Sequence, residues 1–215
     1  LFRAGGQDRT GLASFSFPDG EVLDFAPDVV RGTLDRGWTG VRSIAVTQDG
    51  LRLIVGGGFD ELAGVVKHGL GAVDSTSGDA AEWQSDRIYD RAYVSSVNVF
   101  GDQVFTTADA QGSVSEGVIA FDAATGADVW YDGCRGASHS MEMVRGVVYV
   151  GSHAHDCAVT EGGYGEQYQG YEPGDRRRYT LRAEVPGDAG NARLLQWFPR
   201  TNDGNGARSM ASDGD

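Results

Sequence analysis

VRSIAVTQDGLRLIVGGGFDELAGVVKHGLGAVDSTSGDAAEW, residues 41–83, reads as one four-stranded antiparallel unit. Ile44, Val46, Leu51, Leu53 and Val55 flank Asp49-Gly50, and an Asp-Gly pair between apolar runs suits a two-residue hairpin because it tolerates positive φ. Leu70, Ala72 and Val73 give a third strand that enters a polar turn at Asp74, Thr76 and Gly78, and Trp83 closes a short fourth strand.

The unit recurs along the chain. Turns at Gly101-Asp102 and Arg145-Gly146 are followed by the apolar strands QVFTTAD and VVYVGSH, as LRLIVGGG follows Asp49-Gly50. Third strands read HGLGAVD at 68–74, EGVIAFD at 116–122 and RYTLRAE at 178–184. Asp74 to Asp122 is 48 residues and Trp83 to Trp130 is 47, whereas Trp130 to Trp197 is 67, so the third unit carries an insertion of about 20. A period of this size with four short strands predicts the blades of a β-propeller rather than a helical solenoid. One tryptophan per unit, Trp83, Trp130 and Trp197, is expected in the packing between blades.

The ends of the chain are complementary. Residues 206–214, GARSMASDG, match the opening of the unit at 40–50, and LFRAGG at 1–6 matches LIVGGG at 53–58. GLASFSFPDGEVLDFAP at 11–27 then supplies a third and fourth strand. The two halves either pair in space to close a ring of four blades or are cut ends of a longer propeller; exposed sheet edges invite aggregation, so some closure is required. The expected architecture is all-β: one propeller domain or propeller fragment of about four blade equivalents. Its parts are half-blade 1–30, blades 31–86, 87–132 and 133–203 with insertion 158–178, and half-blade 204–215.

At 215 residues the chain is long enough for one domain with a substantial core. Its formal charge of -13, with Lys nearly absent, argues against a nucleic-acid groove or an anionic membrane surface as partner. It has no run of 18 apolar residues and opens at Leu1 without a basic start and apolar stretch. A secretion signal would have been removed, or would lie upstream of a chain that is a fragment.

Gly57, Phe59, Gly69, Leu70, Ala72, Asp74, Gly78 and Trp83, with VIAFDAATGADVW at 118–130, resemble the propeller repeats of secreted actinobacterial surface proteins. GCRGASHSMEMVRGVVYVGSHAHDC at 133–157 is similar to a segment of the same group, and DAATGADVW separately resembles the quinoprotein-type repeat. The resemblance covers nearly the whole chain. It implies a propeller fold, a secreted or cell-surface location, and neighbouring polycystic-kidney-disease-type, lectin-like or carbohydrate-binding modules. It does not fix an activity, because propellers host unrelated functions.

Cys134 and Cys157 flank the third hairpin. If Val144 faces Val147, paired residue numbers add to 291, as those of the two cysteines do, so the thiols should sit opposite each other as a disulfide in an oxidising compartment. Two separate buried thiols are the alternative; zinc is disfavoured by the lack of C-x-x-C spacing. His139, His153, His155 and Asp156 cluster in the same segment, as a metal or acid-base site or as donors that order a loop. On that register His139 faces Ser152, and His153 lies on the other side of the sheet unless a bulge intervenes. The insertion carries Tyr164, Tyr168 and Tyr171, which make either a stacking platform for a ligand or a loop packed back on its blade. Arg176, Arg177 and Arg178 read as a neutralising patch.

Enzyme signatures are weak. Ser138 and His139 are not in a G-x-S-x-G elbow, and Asp122 precedes Gly126 by four residues, where a sialidase box needs two. Gly56-Gly57-Gly58 is followed by no Lys-Ser/Thr, so it is not a phosphate loop. No cofactor is implied, although TNDGNG at 201–206 could take a structural calcium ion. The expected role is an extracellular module that binds a glycan or a surface protein without inserting into a membrane. A secreted glycoside hydrolase or lyase with acidic residues at the propeller axis is the alternative, and a structural spacer the third.

Overall fold

The computed structural model of the protein describes residues 2–32, 40–89, 92–110, 116–166, 181–187, 190–199 and 207–213. These residues form 15 strands in four antiparallel sheets and contain no α-helix, so the all-β expectation holds. β1 (Phe2–Ala4) and β2 (Gln7–Arg9) form a short hairpin. In the next sheet β3 (Val29–Arg31) and β4 (Gly40–Val46) flank the long β5 (Arg52–Leu62), which also pairs with β6 (Val65–Val66) and β7 (Leu70–Asp74). The third sheet runs in chain order through β8 (Ala92–Phe100), β9 (Gln103–Ala110), β10 (Gly117–Asp122) and β11 (Asp128–Tyr131). The fourth does the same through β12 (Ser138–Val144), β13 (Val147–Ser152), β14 (Leu181–Pro186) and β15 (Ala192–Leu194).

The three hairpins solve the same turn differently. Arg145 (φ 51°) and Gly146 (φ 79°) both lie left-handed between paired Val144 and Val147, the geometry whose twist matches that of the strands. Phe100 pairs with Gln103 around Gly101 at φ 61°. The turn at Asp49-Gly50 is longer than the sequence suggests, closing with Thr47 N–H on the Arg52 carbonyl at 3.0 Å. Gly50 alone of the pair takes positive φ. The Asp49 carboxylate instead accepts from Thr47 Oγ1 (2.6 Å) and Leu51 N–H (3.0 Å), a side-chain turn that replaces a left-handed backbone.

Consecutive sheets pack face to face. Ile54, Val94, Val97, Ile119, Phe121 and Trp83 fill the space between the β4 and β8 sheets. Phe105, Val118, Trp130, Met141, Val148 and Val150 fill the next junction. Leu12, Phe25 and Val29 cover the other face of β5 and β7 through Val55, Phe59 and Val73. The first junction is close: a Cβ on Gly56 would stand 2.5 Å from Val97 Cγ2.

A repeated serine ties the first strands together. β4, β8 and β12 each carry a bulge, between Val41 and Ser43, Val94 and Ser96, and Ser138 and Ser140. At these kinks Ser43 Oγ accepts from Val97 N–H (3.0 Å), Ser95 Oγ donates to the Ser138 carbonyl (2.7 Å) and Ser140 Oγ donates to the Ala207 carbonyl (2.7 Å). Residues 207–213 thus begin against β12, as β8 meets β4 and β12 meets β8.

The tryptophans divide. Trp83 and Trp130 are core, at 1% and 3% exposure. Trp83 lies beyond a strand that shrinks to the single bridge Val73–Ala80, so the expected fourth strand ends before it. Trp197 is 40% exposed and corrects the expectation that it is core. Trp83 and Trp197 sit in equivalent turns, each N–H donating at 2.8 Å to the carbonyl two residues back. Trp83 is covered edge-on by Phe121 of the following sheet (5.7 Å between centroids), whereas Trp197 meets only Tyr149 of its own sheet at ring-contact distance among the described residues.

Candidate functional site

The segment that holds the candidate residues is the β12–β13 hairpin with the loop that follows it. Cys134 and Cys157 are joined by a disulfide, as the register predicts. The agreement comes from two slips that cancel. The β12 bulge makes Ser138 pair with Ser152, and the following loop regains the lost residue, so that Arg135 bridges Asp156.

His139 is the bulged residue, and the bulge brings it to His153. Ala137 N–H donates to His153 Nε2 (3.2 Å), so the proton of that ring sits on Nδ1 and donates to His139 Nε2 (3.1 Å). His139 is thereby left with its own proton on Nδ1. Burial first, then the positive charge of Arg208, push the His139 imidazole down to about 4, so it is neutral at physiological pH.

His155 and Asp156 are engaged elsewhere. His155 Nδ1 meets the Glu166 carboxylate at 2.9 and 3.0 Å. Asp156 accepts from Ala158 N–H (2.9 Å) and lies 3.6 Å from the Arg135 guanidinium. The four residues therefore split into the His139–His153 pair, a histidine bound to Glu166 and an anchored carboxylate rather than one cluster. Among the described residues, no group of three or more His, Cys, Asp or Glu could hold a metal ion.

Tyr164 packs back on the fold, edge-on to Phe198 (5.5 Å) and beside the disulfide, with its hydroxyl 3.4 Å from the Ala154 carbonyl. Its share of the expected stacking platform is therefore a structural contact. Tyr168, Tyr171, the Arg176–Arg178 run and the TNDGNG turn lie outside the described residues.

Beneath this loop is a buried ionic group that sequence reading missed. The Arg182 guanidinium, fully enclosed, is hydrogen-bonded to Asp132, to Ser152 Oγ (2.9 Å) and Ser138 Oγ (3.2 Å), and lies 3.4 Å from Glu184. Asp132 also accepts from Cys134 N–H (3.0 Å), and its carbonyl accepts from Thr160 Oγ1. Two carboxyl groups, those of Asp132 and Glu184, share one cation. Burial and the nearby Asp132 charge push the Glu184 carboxyl well above its ordinary value, although Arg182 opposes this. In RYTLRAE, Arg182 and Glu184 alternate with Leu181 and Ala183 and imitate the wet face of a half-buried strand. Only Asp132, 50 residues away, shows that their face is dry.

At the turn end of the β4 and β8 sheets, a hollow of about 400 Å³ is lined by Thr47, Asp49, Asp102 and Asp122 among others. Hydrogen bonds hold the Asp49 and Asp122 carboxyls below their ordinary values, chiefly from Thr47 and Thr125 respectively. Both act as turn caps. No family model and no curated protein matches this chain.

Proposed function

We propose that the protein is an extracellular binding module of β-propeller architecture, which presents a glycan- or protein-binding loop from the end of its third full sheet. The face-to-face stacking of consecutive sheets and the serine contacts between β4, β8 and β12 support the propeller reading. The disulfide supports export, since such bonds persist in oxidising compartments.

The observation that carries the binding reading is the pinned loop at residues 153–166. The Cys134–Cys157 bond fixes its root, Tyr164 packs behind it, and the His155–Glu166 pair crosses it on the outside. His155 is half-buried and Glu166 exposed. A polar loop held on a rigid scaffold presents donors and acceptors without ordering a free segment on binding. Such a surface suits hydroxyl-rich sugars or a polar protein patch.

The test is incubation of the purified chain with a panel of soluble and insoluble polysaccharides, scoring both retained protein and released sugar. Retention that His155→Ala and Glu166→Ala weaken supports a glycan-binding loop. Released sugar overturns the binding-module reading in favour of a carbohydrate-active enzyme. Absence of both moves the ligand to the surface-protein class, to be checked by binding to intact cell envelopes.

A further inference from the structure

The bulges of the first strands place one residue of each repeat at the same end of its strand: Arg42 in β4, Ser95 in β8 and His139 in β12. Arg208 stands at the matching position of GARSMASDG, within the segment whose Ala207 carbonyl is held by Ser140. The contacts of Ser43 with Val97, Ser95 with Ser138 and Ser140 with Ala207 set these strand ends side by side. The charges of Arg42 and Arg208 both act on the Tyr93 phenol, at the start of β8, and Arg208 acts on the His139 ring.

We propose that this mouth, formed by the bulged ends of β4, β8 and β12 with Arg208, binds an oxyanion, either a carboxylate or a phosphate. The groups there are mostly of donor type. Arg42 and Arg208 are exposed guanidinium groups, Tyr93 carries a half-buried hydroxyl, and the hydrogen bond from His153 leaves the neutral His139 ring with its Nδ1–H to offer. Guanidinium groups suit planar, two-oxygen anions because their paired N–H donors match the oxygen spacing. Asp109 also acts on Tyr93 and belongs to the surroundings of the mouth. Its single negative charge is set against the two positive charges of Arg42 and Arg208. Two arginines among these neighbouring strand ends stand out in a chain of net charge -13.

The inference does not depend on the pinned loop, so either reading can fail alone. It is tested by following the ring resonances of His139 in isotope-labelled protein during titration with sodium glucuronate, inorganic phosphate, glucose, and sodium chloride at matched ionic strength. The expected result is a saturable shift with glucuronate, phosphate or both, and none with glucose or chloride. The anion that saturates names the source. Arg208→Ala, and separately Arg42→Gln, should weaken the response by about tenfold, the scale of one charge-assisted hydrogen bond, with an unchanged circular-dichroism spectrum. The absence of a saturable shift with both anions, or an equal shift with chloride, overturns the proposal. So does unchanged affinity in both folded variants.

Discussion

The β4 and β12 sheets are built on the same repeat and are held together in opposite ways. The β4 sheet is sandwiched, with Leu12, Phe25 and Val29 on one side and the β8 sheet on the other, and its buried side chains are almost all apolar. The β12 sheet meets the β8 sheet through Met141, Val148 and Val150, but its outer half is stabilised by Arg182, Asp132, Glu184 and a disulfide. A repeat position is core only where a neighbour covers it. Where cover is thinner, polar and covalent bonds replace apolar burial, and there the loop with the candidate residues is mounted.

The strongest way to break this comparison is to make one truncation in both sheets. Trp83→Ala should destabilise the fold by about 3–5 kcal/mol, the usual range for removing a buried large aromatic, whereas Trp197→Ala should cost under about 1 kcal/mol. Urea denaturation of both variants reads the difference. Equal losses would mean that Trp197 is covered in solution and that the contrast is wrong. Arg182→Met is its counterpart in the other sheet. It leaves Asp132 and Glu184 buried without their cation and should also cost about 3–5 kcal/mol.

Replacing both cysteines by alanine should cost about 2–4 kcal/mol, given the 23-residue separation that the bond closes. Hydrogen exchange should show the loss first in residues 153–166, while the β4 sheet keeps its protection. Gly56→Ala acts at the opposite pole. Its new Cβ would press on Val97 and Val94, so about 1–3 kcal/mol of overpacking is expected, and Val97→Ala in the same chain should recover part of it. Failure of that rescue would place the strain within β5 rather than between sheets.

How much of this was legible in the sequence follows the same division. Apolar runs and Gly-containing turns made β9 and β10 legible in the β8 sheet, because both faces of that sheet meet a neighbour. The disulfide was legible through the turn at Arg145-Gly146, whose two positive φ angles fix the register. The His139–His153 contact was legible only as a condition, that a bulge intervene, since nothing in SHSM distinguishes a bulged residue from a paired one. Trp197 was misread because a repeated residue type says nothing of what lies beyond it. The Arg182 cluster was invisible because its alternation is that of a solvent face, and the partner that makes it dry comes from the preceding repeat.

The smallest expected effect is also the most discriminating, because it concerns the sign of a charge rather than the loss of a contact. The folded-state pKa of Glu184 lies above its unfolded value, so the native state holds the proton more tightly than the unfolded chain does. Its contribution is fully present below the unfolded pKa, near 4.3 for a free glutamate, and is lost as pH rises through the folded value. Glu184→Gln keeps the shape and one oxygen for Arg182 but carries no proton to lose. The variant should match the parent at acidic pH and gain on it as pH rises through the folded value. Asp49 and Asp122, held low by their turn hydrogen bonds, give the opposite slope, since their stabilisation is present above the ordinary aspartate pKa and fades as pH falls through the folded values. Midpoints of urea unfolding across the pH range separate the two. A variant that is less stable than the parent at alkaline pH would mean that Glu184 is ionised in the fold, and that Arg182 is shared by two anions rather than by one anion and one acid.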